Sequence, residues 1–211
     1  MTSTTQQRKK SFSSFNYKAA FKQLGITELE RWVIHGDPVP ISDFFRQRLE
    51  RLQRFDLESF EVSKELLIDA ICEEGLEGFN RLKIWKGAYV EGETTCGNAD
   101  YLVAERRAYL ERPFVCVIEA KKDDFEQGAA QCLVEMQACQ YTNRDSGRVA
   151  DVYGIVTNGE GWKFYRFDVK GTVCETLLYG IADMSQLIGI LQTFFRECER
   201  LLDVENDVTR I

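Results

Sequence analysis

The chain has a single histidine, His35, among 211 residues. Metal centres built from several histidines, and catalysis by a histidine pair, therefore have no material. His35 precedes Gly36-Asp37-Pro38, a turn-like stretch, and reads as a surface position rather than a ligand or base. The seven cysteines, at 72, 96, 116, 132, 139, 174 and 198, are odd in number and form no C-x-x-C pair. A disulfide framework and a zinc site are both disfavoured by that spacing. Cys116 sits in an apolar run, and Cys132 and Cys139 lie seven apart on one expected helix face, so reduced, buried thiols are the reading. G-x-S-x-G, the phosphate-binding P-loop and G-x-G-x-x-G are all missing, which removes the common nucleophile elbow and nucleotide cradles. No apolar run approaches the ~20 residues of a membrane span. The start, MTSTTQQRKKSFSSF, has bases but no apolar stretch after them, unlike a secretory signal, so the expected compartment is the cytoplasm. Net charge is −7, which argues against a strongly basic, nonspecific nucleic-acid binder and leaves local basic patches open. Catalysis, if present, must rest on carboxylates, lysine and a metal.

What is there divides by period. Residues 1–16 are polar and rich in Ser, Thr and Gln, and read as a flexible arm in which Arg8, Lys9 and Lys10 are solvated bases. Residues 17–60 read as a helical N-terminal extension, with a turn at Gly25, a break from Gly36 to Pro40, and a helix capped by Ser42. Ser63 is the expected cap of a helix over about 64–74, whose apolar face is Leu66, Leu67, Ala70 and Ile71. In RLKIWKGAYVEG the pattern then alternates. RLKIWKGAYVEG, ADYLVAERRAYL and RPFVCVIEAKK read as three strands, the last two as an antiparallel hairpin, with ETTCGN as a loop. Helical character returns over about 124–143. DVYGIVTNG and GWKFYRFDV follow as strands around an Asn158-Gly159 turn, TVCETLLYG is a candidate sheet edge, and an amphipathic helix over 183–203 closes the chain. This order is an α/β domain with a mixed sheet.

One stretch calls for chemistry: residues 115–131, VCVIEAKKDDFEQGAAQ. A strand of apolar residues ends in Glu119-Ala120-Lys121. Residues two apart on a strand share a face, so Glu119 and Lys121 project together. Asp100 begins the preceding strand, and antiparallel pairing sets the start of one strand beside the end of the next. Two carboxylates so placed repel unless a cation separates them. Mg²⁺ takes oxygen ligands and keeps its waters, and Lys121 is positioned to act on such a water. The plain structural alternatives are a solvated strand end for Glu119 and Lys121, and a turn residue after Gly97-Asn98 for Asp100. Lys122, Asp123 and Asp124 read as a solvated loop and helix cap. Trp162, Phe164, Tyr165 and Phe167 read as sheet packing in preference to base stacking.

The order Asp100, then Glu119-Ala120-Lys121, then a helix carrying Gln131, resembles the PD-(D/E)xK phosphodiesterase superfamily, the restriction-endonuclease-like fold. The stretch VCVIEAKK…Q is similar to the nuclease domain at the N-terminus of type I restriction subunits. The similarity covers about residues 60–170. It implies an α-β-β-β-α-β core over residues 61–211 with a mixed central sheet flanked by helices, and Mg²⁺-dependent (or Mn²⁺-dependent) cleavage of nucleic acid, DNA above all. Carried over residue by residue, Asp100 and Glu119 become metal ligands, Lys121 positions the water or stabilises charge, and Gln131 stands near the site or the DNA backbone. Glu65 becomes the additional upstream acid, with Glu73 and Glu74 competing for that role. The proline that often precedes the first aspartate is Ala99 here.

The resulting expectation is a metal-dependent endonuclease-like hydrolase without a membrane partner. Two cuts on one duplex would be most simply made by a homodimer. The alternative from another class is a non-catalytic nucleic-acid-binding or protein-assembly module on the same fold, which the acidic balance favours because phosphate contacts supply most nucleic-acid affinity.

Overall fold

The computed structural model describes residues 8–57, 59–121 and 124–203. Its elements follow the change of period in the sequence. A short strand β1 (Lys10–Ser11) and a 3₁₀ turn (Phe12–Ser14) lead into α1 (Tyr17–Leu24), β2 (Glu30–Arg31) and α2 (Asp43–Leu52). Next come α3 (Glu61–Gly75), β3 (Leu82–Glu91), β4 (Thr95–Glu105), β5 (Phe114–Ala120) and α4 (Phe125–Asp145). The chain continues through β6 (Val152–Thr157), β7 (Gly161–Phe167), β8 (Val173–Glu175), β9 (Tyr179–Gly180) and α5 (Met184–Arg200). Ser42 caps α2 as its side chain accepts from the Phe45 amide, supplying one of the acceptors that a helix start lacks. Ser63 lies inside α3, which begins at Glu61.

Among the described residues, the nine strands form one mixed sheet. β3, β4 and β5 make an antiparallel meander. β6 lies parallel to β5, which requires a crossover, and α4 is that crossover. The Asn158-Gly159 turn returns β6 into antiparallel β7: the Asn158 side chain accepts from the Gly161 amide at 2.8 Å, and Gly159 takes φ 90°, a conformation that suits glycine. β8 extends the sheet beyond β7, and β2 covers β8 in parallel. The ETTCGN stretch is not a free loop past Glu93. From Thr95 it is strand, with β3 pairing on one side and β1 on the other.

Strand alternation sorts the core into two layers. On one face Tyr101, Val103, Cys116, Ile118 and Phe164 pack with Ile68 and Ile71 of α3 and with Leu191, Phe194 and Phe195 of α5. On the other, Leu102, Val117, Val156 and Tyr165 pack with Ala130, Leu133 and Met136 of α4 and with Ala20 of α1. Trp162, Phe164, Tyr165 and Phe167 are all buried, as expected of packing residues. Among the described residues no helix is long and apolar enough to cross a membrane.

The N-terminal third departs from the expected arm and extension. Residues 1–7 lie outside the described residues, but Phe12 and Phe15 are only 1% and 2% exposed in the α4-side core. Lys9 bonds Glu91 at 2.8 Å, Lys10 stands 3.7 Å over the Phe15 ring, and Gln127 donates to the Phe15 carbonyl. The polar composition of residues 1–16 hid two aromatics whose burial outweighs it. Likewise Ile34, Phe45 and Leu52 belong to the α3/α5-side core, so residues 17–57 complete the domain rather than append to it.

That integration depends on a backbone crossing. The segment after His35 runs across α5, where Gln186 donates to the Gly36 carbonyl at 2.8 Å and the Val39 amide donates to the Ser185 carbonyl at 3.0 Å. A Cβ on Gly189 would stand 1.9 Å from the Asp37 carbonyl oxygen, so only glycine permits the approach. Gly189→Ala is expected to lower the unfolding free energy by about 3 kcal/mol, measured by urea denaturation. Gly180→Ala, where the nearest neighbour is 3.8 Å away, should stay within about 0.5 kcal/mol of wild type.

Candidate functional site

The site lies where β4 and β5 part. Their paired residues run to Tyr101 opposite Ile118, and one further step of that register sets Asp100 opposite Glu119. On its other edge β5 stays paired with β6 through Ala120 and Thr157, and the Lys121 amide still donates to the Thr157 carbonyl at 2.9 Å. The Ala120 amide points the other way, toward β4. It donates to Asp100 Oδ2 at 2.9 Å. A side-chain carboxylate thus replaces the missing carbonyl, which satisfies a buried N–H and ties β4 to the end of β5. Asp100, expected to begin its strand, stands in the middle of β4, which starts at Thr95 because β3 and β1 pair there.

Glu119 leaves β5 on the α4 side and is completely buried. Lys121 Nζ lies 2.7 Å from its Oε1, with the lysine side chain 25% exposed. Gln131 Nε2 donates to Glu119 Oε2 at 3.0 Å. The same nitrogen donates to Glu135 Oε1, also at 3.0 Å. A polar line therefore runs from the half-buried amine of Lys121 through Glu119 and Gln131 to Glu135 in the interior. Gly128, in the first turn of α4, makes room for it: a Cβ there would lie 2.7 Å from Val156 Cγ1 and 3.0 Å from Lys121 Cγ. The lysine stem crosses the helix at the one position without a side chain.

Glu135 was not among the residues the sequence singled out. It is wholly buried on α4, and Oε2 has no hydrogen-bond partner among the described residues. Burial pushes its carboxyl well above the ordinary glutamate range, and the Glu119 charge adds to this; Gln131 and Lys121 pull it back only in part. The available signal was an acid four residues after Gln131, within a helix whose other residues from 128 to 136 are small or apolar. Gln131 and Glu135 necessarily share a face at that spacing.

None of the three upstream acids joins Asp100 and Glu119. Glu65, together with Asp69, takes the ammonium of Lys86 at 2.9 and 3.0 Å, beside Tyr101. Burial opposes the charge on Lys86, but the two carboxylates outweigh it and raise its pKa. Glu73 pairs with Arg48 at 2.9 Å. Glu74 accepts from the amide and hydroxyl of Ser42 at 2.6 and 2.8 Å, which fastens the start of α2 to α3. Among the described residues no three His, Cys, Asp or Glu side chains form a cluster fit to hold a metal ion. The oxygen-only pair Asp100 and Glu119 fits a hard, hydrated cation, which needs one or two carboxylates and keeps waters for the rest.

The remaining expectations place as follows. Asp124 caps α4 by accepting from the Gln127 amide at 2.9 Å, while Lys122 and Asp123 lie outside the described residues. His35 is exposed. All seven cysteines are free and six are buried. Burial holds the thiols of Cys116, Cys132 and Cys139 well above their ordinary value, so they are protonated and unreactive.

No protein-family model matches the chain. One stretch of 52 residues is 40% identical to Crinkler effector protein 5 of Phytophthora infestans, covering 25% of this chain and 14% of that protein. The chain thus spans about a seventh of the length of that relative.

Because the folded state holds the Glu135 proton more tightly than the unfolded chain does, its contribution to stability is complete below the ordinary glutamate pKa. It is lost as pH rises toward the raised value. Glu135→Gln removes this titration while keeping the shape. The unfolding free energy of the variant is expected to gain on wild type as pH rises above the ordinary glutamate range, followed by chemical denaturation at each pH. Parallel curves would show that Glu135 ionises normally in the fold.

Proposed function

We propose that the chain is a metal-dependent phosphodiesterase that hydrolyses nucleic acid, DNA in the first place, on a restriction-endonuclease-like core of the PD-(D/E)xK kind. The observation that carries this reading is the Asp100–Ala120 hydrogen bond, which brings the first acid to the strand end bearing Glu119 and Lys121. The order α3-β3-β4-β5-α4-β6, with three antiparallel strands and a parallel fourth, supports it as the α-β-β-β-α-β arrangement. So does the bond from Gln131 to Glu119.

In this reading Asp100 and Glu119 hold Mg²⁺ or Mn²⁺, and Glu65 stands outside the ligand set. When bound, the cation lowers the pKa of a coordinated water and offsets charge on the phosphoryl oxygens. The chain's own residues do the rest. Asp100 holds the end of β5 against β4, so the carboxylates are set before substrate arrives. Lys121, whose ammonium has donors only and stands 2.7 Å from Glu119, would face the attacking water and the phosphate beside the cation. It orients the first and stabilises negative charge on the second. Gln131 holds the other oxygen of Glu119.

The second reading, a non-catalytic binding or assembly module, is favoured by the net charge of −7 and by the short Lys121–Glu119 pair, which neutralises the buried acid internally. Calorimetry separates the two. Wild type is expected to bind Mn²⁺ and Glu119→Ala to lose that binding. In a plasmid-cleavage assay, Asp100→Ala, Glu119→Ala and Lys121→Ala should each lose at least about 10²-fold in rate with unchanged circular dichroism. Wild-type cleavage in all three variants would refute the assignment. A wild type that binds no metal and cuts neither DNA nor RNA would leave the module.

A further inference from the structure

The polar line in the site ends on a residue that the proposed reaction does not itself use. Glu135 stands among Leu133, Val134 and Met136 on a helix buried nearly all round. An acid there is costly, since burial of a carboxyl without full hydrogen bonding works against the fold, and a leucine would pack without that cost. What the acid provides is visible in the partners of Gln131. An amide nitrogen carries two hydrogens in fixed directions. Gln131 Nε2 sends one to Glu119 Oε2 and the other to Glu135 Oε1, both at 3.0 Å. With two carboxylate acceptors the carboxamide has one orientation. Turned over, its oxygen would face the Glu119 carboxylate, and the bonds it now donates to Glu119 Oε2 and Glu135 Oε1 would be lost. With Glu135 removed, a single bond to Glu119 remains and the penalty for turning over falls.

We propose that Glu135 is a positioning residue of this site: by accepting the second hydrogen of Gln131 it fixes the carboxamide, and through it the orientation of the Glu119 carboxylate. This rests on the reading of Glu119 as a metal ligand. Glu135 touches neither substrate nor metal. It acts as outer partners of metal ligands do, whose loss typically costs about 10–100-fold in metal affinity or activity. The role accounts for an interior acid, for the four-residue spacing from Gln131, and for the shared nitrogen. The charged groups that bear on Glu135 are Glu119, Asp100 and Lys121. The first two belong to the strands and Lys121 directly follows β5, so the device joins α4 to the strand ends.

The test compares Glu135→Leu, which keeps volume but offers no acceptor, with Glu135→Gln, which keeps an acceptor oxygen; Glu135→Ala serves if the leucine variant does not fold. Three quantities are read. The first is the side-chain amide resonance pair of Gln131 by ¹⁵N–¹H NMR, assigned by its loss in Gln131→Met. The second is Mn²⁺ affinity by calorimetry. The third is kcat and KM on DNA. In wild type the Gln131 protons are expected to exchange slowly with solvent. In Glu135→Leu they should exchange at the rate of surface glutamines, Mn²⁺ affinity should fall about 10–100-fold, and kcat should fall with KM nearly unchanged. Glu135→Gln should recover most of each loss. Slow exchange and wild-type Mn²⁺ affinity in Glu135→Leu would overturn the proposal, as would equal losses in the Leu and Gln variants. If wild type neither binds Mn²⁺ nor cuts nucleic acid, the nuclease reading fails and the metal-linked role of Glu135 falls with it. Normal Mn²⁺ binding and cleavage in wild type, with no response to Glu135→Leu, would sink the role of Glu135 alone.

Discussion

Where β4 and β5 separate, the Ala120 amide faces a strand that no longer offers it a carbonyl. The Asp100 carboxylate supplies the acceptor, and much of the site follows from that one bond. It satisfies a donor that would otherwise be orphaned. It also fixes how far the end of β5 stands from β4, and it sets an acid next to Glu119 without any loop having to hold it there. A site whose geometry is set by strand ends and not by flexible connections is rigid before anything binds. The bond exists because β5 is locked on its other edge to β6, through Ala120 and Thr157 and then Lys121. The strand cannot drift away from β6 to find another partner.

The second constraint is the burial of α4. As the crossover between two parallel strands it lies across the middle of the sheet, and its apolar residues cover nearly all of its circumference. Its buried polar residues are therefore answered internally. Asn143 bonds both the amide and the carbonyl of Phe114. Gln140 donates to the Asp168 carbonyl. Gln131 answers Glu119 and Glu135. The buried Lys121–Glu119 pair is not an argument for stability, since desolvation offsets much of its attraction. Its significance is that the charge is held in place at some cost, together with a second carboxyl that burial keeps protonated more readily.

Glycine marks the places where the chain approaches itself most closely. Gly189 admits the segment after His35 across α5, and Gly128 admits the stem of Lys121 across α4. The first joins the N-terminal third to the domain and the second lets the Lys121 amine reach Glu119. Phe12 performs a related task at Gly97, where a Cβ would collide with its ring, so the N-terminal segment is seated against β4 by shape as well as by the β1 pairing.

By itself the sequence determined what depends on neighbours along the chain. Alternation wrote β3 and β7, and short apolar runs wrote β5 and β6. Asn158-Gly159 wrote the hairpin, and Ser42 and Asp124 wrote their helix caps. The run into Glu119-Ala120-Lys121 declared a strand end carrying an acid and a base, and antiparallel pairing was enough to expect Asp100 beside it. Only the tertiary structure decided matters that rest on residues far apart. Phe12 and Phe15 look solvated within a polar segment, because their burial depends on α4, more than a hundred residues away. Glu65, Glu73 and Glu74 look alike as acids on one helix, and what separates them is Lys86, Arg48 and Ser42 on other elements. Glu135 looks like an ordinary helix glutamate until the sheet beneath α4 removes its water and Glu119 arrives from β5. Local periodicity reports which face of an element is apolar. It carries no information on which distant group will be pressed against a given polar side chain, and that pairing decides the chemistry here.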